Sequence, residues 1–359
     1  MRRDIVPISL WTLLAIGLGA VVAVSLLFSS IKAPYKGYES DSVLVRIPPR
    51  SSTLSILRAL EEGGVIRDVR IGYITLRVLH RGKTLRAGEY RFRGPRTVEQ
   101  VILTIAAGDV VTYRVTVPEG LSAEEIFSLF SSQEFGSATE FAQLFLRPQD
   151  FEGVPAGAPN LEGFLFPETY VITRSTTAKD IVAMLTHQFI QRLPENYARK
   201  AKSAGLSVLE AVTVASLIEK ETGLDSERPL IAAVFHNRLR QGMAMQCDPT
   251  TIYALKRLGV WKGYLTRSDL SVVEPYNTYV IPALPPGPIC SPSLPSLRAA
   301  VAPAETDYLY FVAKGDGSHL FASDYESQQR NVALYREYQR SAREAVRAAR
   351  EGTEAVPTN

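Results

Sequence analysis

Residues 207–223, SVLEAVTVASLIEKETG, are the stretch on which the reading of this chain turns. At 100° per residue, Ala211, Val214, Ala215, Ile218 and Thr222 project on one side, which predicts a helix with that side against a core. Gly223 is the expected stop. Glu221 falls at one margin of the stripe, beyond Leu217 and Val214, where apolar groups can wall its carboxyl. Glu219 falls at the opposite margin, beside Val212 and Ala215. In the last turn, Glu221 meets the negative pole of the helix dipole, and that pole and partial desolvation both push a carboxyl pKa upward. A carboxyl that keeps its proton near neutral pH is what protonating a leaving oxygen requires. The plain alternative is a surface Glu-Lys-Glu triplet at a helix end, and helix physics alone favours it.

Downstream, Asp225 or Ser226 can cap a second helix over 227–240, with Glu227, Arg228 and Pro229 in its first turn and Gly242 just past its end. His236, Asn237 and Arg238 lie inside it. Asn237 is unfavourable there by propensity, so a buried hydrogen bond is expected of it. Residues 245–250 (MQCDPT) form a loop entering a helix over 249–258, for which Asp248 is the simplest cap. The loops EPYNTY (274–279) and PALPPGP (282–288) either stack on sugar rings or pack over a core edge. YLYFVA (308–313) and residues 319–322 flank a Gly-Asp-Gly turn as a hairpin, and residues 325–350 form a closing helix.

Upstream, residues 177–193 and 197–204 read as helices, preceded by the aromatic and acidic run NLEGFLFPETY (160–170) and a Gly- and Pro-rich stretch over 135–159. Before that, a strand-cap-helix pattern recurs: SVLVRI (42–47) leads into Leu54, Ile56, Leu57 and Leu60, and GEYRF (88–92) into residues 97–107. YRVTV (113–117) leads into Ile126, Phe127 and Phe130. Compact βα units are expected there, as spacer or as ligand-binding module.

The 359 residues, 46% hydrophobic, suffice for one anchor and two globular domains of roughly 100 to 200 residues each. A net charge of +3 from 40 basic and 37 acidic residues supplies no field for a nucleic-acid backbone, so no nucleic-acid partner is expected. Residues 5–28 carry no charge and exceed the roughly 20 residues that span a bilayer. Arg2 and Arg3 in front of them favour a cytoplasmic N-terminus, a bias that Lys32 and Lys36 weaken. A cleaved signal peptide would have a shorter apolar region and an A-x-A site, and none follows Phe28. Cys247 and Cys290 are too few for a disulfide scaffold, and neither they nor the four histidines have metal-ligand spacing. No phosphate-binding glycine loop or Gly-x-Ser-x-Gly elbow occurs. No metal or cofactor is expected.

Taken in order, ASLIEKET (215–222), ERPLIAAVFHNRL (227–239), QCDPTTIY (246–253), YNTY (276–279), LPPGP (284–288) and YLYFV (308–312) resemble the YceG-like (MltG) endolytic murein transglycosylases. The likeness runs across residues 43–340, and the 160–170 run and the N-terminal apolar stretch belong to the same pattern. It implies an α+β chain: cytoplasmic residues 1–4, a transmembrane helix over 5–28, a linker over 29–41 and a small LysM-like α/β module over 42–115. A mainly helical, lysozyme-like catalytic domain with a small β element follows over 116–345, then a flexible tail over 346–359. The family's catalytic residue is the second Glu of its Glu-Lys-Glu-Thr motif, here Glu221, with Glu219 the alternative. Gln246, Asp248, Asn277 and Tyr279 match motif positions and are assigned to the glycan cleft.

The implied reaction cuts the β-1,4 bond between N-acetylmuramic acid and N-acetylglucosamine without water and leaves a 1,6-anhydro end. The implied place is the bacterial inner membrane, with the catalytic domain periplasmic, peptidoglycan strands as substrate and peptidoglycan synthases as partners whose strands it limits in length. Cys247 within the Gln-x-Asp-Pro-Thr motif and Cys290 after Leu-Pro-Pro-Gly-Pro depart from the family pattern. Outside the cytoplasm they either close a disulfide between two cleft loops or stay as free thiols. Two other functions remain open: a water-using muramidase, in which Glu162, Glu168, Asp248 or Glu274 supplies a second carboxylate, and a non-catalytic peptidoglycan-binding scaffold of the division machinery.

Overall fold

A computed structural model describes residues 10–354. The expected cytoplasmic segment 1–4 and the first apolar residues, 5–9, lie outside the described residues, as does the end of the expected tail, 355–359. From there the apolar run is a helix, α1 (Leu10–Lys32), within which Leu14–Lys32 is long and apolar enough to cross a membrane. Its large side chains, among them Trp11, Leu14, Ile16, Leu18, Val21 and Leu26, are exposed. The helix runs into the segment expected as linker, and Ile31 at its end is buried. Pro34, which cannot continue a helix, follows two residues later.

The chain divides into two compact units, Met1–Arg114 with Val171–Thr176, and Val115–Tyr170 with Thr177–Asn359. In the first, β1 (Ser42–Ile47), α2 (Thr53–Glu62), α3 (Val69–Val78), β2 (Gly88–Arg93) and α4 (Val98–Ala107) follow one another. β1 and β2 are antiparallel, from Ser42 opposite Arg93 to Ile47 opposite Gly88. Val45, Ile47, Tyr90 and Phe92 on their inner face meet Ile56, Leu57, Leu60, Val101, Ile102 and Ile105 of the helices. The strand-helix elements therefore form one strand-helix-helix-strand layer closed by α4, rather than a row of equal repeats. The unexpected element is α3. Gly72 in its middle lowers helix propensity, yet a Cβ there would lie 2.9 Å from Leu57 Cδ2, so the glycine is what lets α2 and α3 approach.

β3 (Thr112–Thr116) opens the next stretch, and α5 (Ala123–Ser131) and α6 (Ala138–Phe145) begin with capping boxes at Ser122/Glu125 and Ser137/Glu140. The stretch 135–159 is thus not loop throughout: α6 buries Phe141, whose ring stacks on Phe127 with centroids 4.9 Å apart. β4 (Thr169–Thr173) pairs with β3.

The helical body comprises α7 (Ala178–Arg192), α8 (Tyr197–Ser203), α9 (Val208–Glu221), α10 (Arg228–Arg240), α11 (Asp248–Arg257) and α12 (Leu294–Val301). The hairpin of β5 (Tyr310–Ala313) and β6 (His319–Ala322) follows, then α13 (Tyr325–Glu354), so residues 346–354 of the expected flexible tail are helical. α9 is the axis, packed by α8, α10, α11 and α12. All eight residues from Ala211 to Ile218 are buried, where the sequence pattern had one apolar side. A helix enclosed on every side needs no polar face. Its two buried hydroxyls are satisfied locally, Thr213 Oγ1 by Leu209 O (2.8 Å) and Ser216 Oγ by Thr213 O (2.7 Å).

Candidate active site

The site is built at the C-terminal end of α9. Thr222, not Gly223, ends the helix: it turns extended (φ −139°, ψ 140°), and Gly223 has no left-handed backbone. Thr222 Oγ1 accepts from Leu224 N (3.0 Å) and donates to Glu227 Oε2 (3.3 Å), which fixes the corner into α10. Glu227 itself is the residue before α10. Neither Asp225 nor Ser226 caps that helix, because Asp225 Oδ1 is taken up by Arg228 Nε at 2.9 Å.

Glu219 and Glu221 have separate surroundings. Glu219 Oε2 accepts from Arg228 Nη1 (3.1 Å), from Ser293 N (2.9 Å) and from Ser293 Oγ, and Arg228 Nη1 also donates to Ser296 Oγ. The pair is buried, with 8% and 6% of the side chains exposed. Glu219 is thereby committed to tying α10 and the start of α12 to α9. Glu221 is half-buried and accepts one hydrogen bond among the described residues, from Cys247 Sγ to Oε1 at 2.9 Å. Burial holds its carboxyl above the ordinary range, the Asp248 charge pushes the same way, and the Cys247 thiol and the His319 ring pull it back.

The segment 246–248 faces this carboxyl. Gln246, exposed, takes a left-handed backbone (φ 50°) and donates its N–H to Thr278 O at 3.2 Å. The residue preceding α11 is Cys247, not Asp248. Asp248 is the first residue of the helix, and its exposed carboxylate accepts from Tyr279 Oη at 2.6 Å. Burial, then that bond, raise the Tyr279 pKa, so its phenol stays protonated and donating.

Asn277 does not belong to a cleft wall. It is 0% exposed, its Nδ2 donates to Leu270 O and Val272 O, and its Oδ1 accepts from Thr251 Oγ1 and Tyr279 N. All its hydrogen-bonding capacity is spent holding the 270–279 loop. The disulfide alternative is not realised either: both cysteines are free and buried, and Cys290 Sγ lies 3.4 Å from Ser216 O.

The other carboxylates considered as second catalytic groups are engaged elsewhere. Glu162 accepts from Ala123 N (2.8 Å) and Tyr253 Oη (2.9 Å), Glu168 pairs with Arg192 (2.6 Å), and Glu274 pairs with Arg257 (3.2 Å). Asp248 alone of the four is among the charges acting on Glu221. The residue missed in the sequence is His319. Glu227 Oε2 lies 2.7 Å from its Nδ1, and Glu227 Oε1 accepts its backbone N–H at 2.8 Å. Burial pushes the Glu227 carboxyl up, but its bonds to His319 prevail and leave it below the usual range. A lone His after a Gly-Asp-Gly turn carries no spacing that would place it against Glu227.

Fold and site together define an α+β protein with a half-buried carboxylic acid, held by one thiol, at the end of a core helix. The chain belongs to the YceG-like family, whose model matches residues 45–334. It is 30% identical over 324 residues to a Bacillus subtilis protein named endolytic murein transglycosylase, covering 85% of this chain and 88% of that one. It is also 30% identical to a protein of the same name from Streptococcus pneumoniae, of which 59% is covered, against 84% of this chain. A crystal structure of a YceG-like protein from Listeria monocytogenes superimposes with a TM-score of 0.54 at 29% identity, covering 81% of this chain and 99% of that one.

Proposed function

We propose that this protein is an endolytic murein transglycosylase, a lyase of peptidoglycan strands, with Glu221 as its single acid/base. The observation that carries the reading is the carboxyl of Glu221: half-buried, raised in pKa and bonded by one neutral donor. A carboxyl in that state delivers a proton and takes one back. Glu219, fixed by Arg228 and Ser293, lacks that freedom.

In the proposed reaction Glu221 donates its proton to the oxygen linking N-acetylmuramic acid to N-acetylglucosamine, and the bond from that oxygen to C1 of the muramyl sugar breaks. The C6 hydroxyl of the same sugar closes on C1, and its proton passes to the Glu221 carboxylate. The products are a free 4-hydroxyl and a 1,6-anhydro end, with no water consumed and the acid restored. The positive charge developing at C1 is stabilised by the sugar's acetamido group. Asp248 and Tyr279 act electrostatically on the carboxyl, and they and Gln246 are assigned to the glycan. A muramidase needs a second carboxylate on the far side of the sugar, and Asp248 is the group that would supply it.

In the same reading, α1 anchors the chain in the bacterial inner membrane with its N-terminus cytoplasmic and both units periplasmic. The strand-helix-helix-strand unit is the LysM-like module, and cleavage beside peptidoglycan synthases limits strand length. The test is mass spectrometry of glycan strands digested by the full chain in detergent, beside Glu221→Gln. Anhydro-ended internal fragments from the wild type alone are expected. Reducing ends would replace the reading with the muramidase, and bound but uncut strands with the scaffold.

A further inference from the structure

We propose that Cys247 is a positioning residue for Glu221: its thiol holds Oε1 and leaves Oε2 to meet the glycosidic oxygen. The inference rests on Glu221 being the acid.

The geometry begins with a loop that has little freedom. Cys247 is 2% exposed. Its N–H donates to Thr278 Oγ1 (3.1 Å) and its carbonyl accepts from Thr250 Oγ1 (2.6 Å), while the two threonine hydroxyls lie 2.8 Å apart. With Gln246 N bonded to Thr278 O, the backbone on both sides of the thiol is fixed. From that mount Sγ reaches Glu221 Oε1 at 2.9 Å, across 26 positions of sequence. Oε2 has no partner among the described residues, so the thiol is what sets the direction in which the free oxygen points.

Chemistry explains why a thiol suits the place. Burial, then the Glu221 charge, push the Cys247 pKa well up, so the group is a neutral S–H and adds no second negative charge. An S–H is a weak donor, whereas a hydroxyl would stabilise the carboxylate more strongly and leave less of the acid protonated near neutral pH. The thiol can orient Oε1 whether Glu221 is protonated or ionised. The charged and titratable groups acting on the pair are Asp248 and His319 on Glu221, and Glu221 and Asp248 on Cys247, with Arg238 also interacting with the thiol and Tyr279 with both groups. Cys290, whose thiol donates to the Ser216 carbonyl and not to Glu221, is an internal control.

The experiment uses the full chain in detergent with Cys247→Ala, Cys247→Ser, Cys290→Ala and Glu221→Gln. Rates of anhydro-end formation are measured against pH, and the S–H stretching bands by infrared difference spectroscopy. Cys247→Ala is expected to lower kcat about tenfold with KM within about twofold, as lost orientation of a reacting group does. Cys247→Ser is expected to restore most of kcat at low pH and to move the basic limb of the profile down by about 0.5 to 1 on the pH scale, the size of one stronger hydrogen bond to the ionised form. The S–H band absent in Cys247→Ala is expected to shift in Glu221→Gln, while the band absent in Cys290→Ala stays. A Cys247 band unmoved by Glu221→Gln, or wild-type kcat and pH profile in Cys247→Ala, overturns the proposal. Full cleavage by Glu221→Gln instead overturns the reading of Glu221 as the acid, even where the band shift shows the contact itself to be real.

Discussion

Glu219 and Glu221 leave the last turn of α9 in nearly opposite directions, since positions two apart are separated by about 200° around a helix, and they meet opposite surroundings. Glu219 is buried against Arg228 and Ser293, whereas Glu221 meets one thiol. Glu219→Gln leaves Arg228 paired with the exposed Asp225 alone among the ion pairs of the described residues. It is expected to cost about 3 kcal/mol in denaturant unfolding, the low end for breaking a buried pair, with activity falling as the folded fraction falls. Glu221→Gln is expected to keep full stability at neutral pH and to lose about 10²- to 10⁴-fold in kcat. Equal losses of kcat at full stability in both variants would remove the distinction.

The pH profile follows from the direction in which the Glu221 pKa is displaced. The reaction starts from the protonated carboxyl, so the rate falls as pH rises through a pKa held above the ordinary carboxyl range by burial. Asp248 adds to that elevation, so Asp248→Asn is expected to move the basic limb to lower pH, by about 0.5 on the pH scale for one partly screened charge. A limb that moves upward would mean that Asp248 acts on the substrate and not on Glu221.

Much of this site is legible in the sequence because it is local. The helix over 208–221 and the margin position of Glu221 follow from a 100° period, and the need for a bond at Asn237 follows from its poor propensity within a helix. The bond is there, from Nδ2 to Thr306 O and Tyr308 O. What the sequence hides is set by contacts distant along the chain. The full enclosure of α9 depends on α12, which begins 73 residues after Glu221. Asn277 matches a motif position whether it faces a glycan or braces a loop, and only its 0% exposure decides. His319 reaches Glu227 across 92 positions through a hairpin that places it there.

Glu162 gives a stability test separate from catalysis. Burial raises its pKa to about 7, against the bonds from Ala123 N and Tyr253 that pull it down. A carboxyl with a raised folded pKa contributes its full stability below the unfolded value, about 4.5, and loses it as pH climbs to about 7. Glu162→Gln mimics the protonated form and is expected to remove this loss. Its stability should equal the wild type's near pH 4 and exceed it by up to about 3 kcal/mol near pH 8, because each tenfold change in a proton-binding constant is worth about 1.4 kcal/mol. Thermal melts at the two pH values check it, and an equal gap at both would refute the assignment.

The hairpin carrying His319 is held from α10 by Asn237, whose amide caps the carbonyls of Thr306 and Tyr308, and by Arg238, whose Nε donates to Leu309 O at 2.6 Å. Asn237→Ala leaves two carbonyls without their donor and is expected to cost about 2 kcal/mol. Because the lost bonds lie at the entry to β5, local opening should exceed any global change, and hydrogen exchange should quicken over 308–322 before it does in α9. His319 moves with that hairpin, so its bond to Glu227, and with it the pull of its ring that lowers the Glu221 pKa, weakens in the open form. Activity should therefore extend to slightly higher pH in Asn237→Ala even as kcat falls. Faster hairpin exchange with an unmoved pH profile would separate His319 from the electrostatics of Glu221.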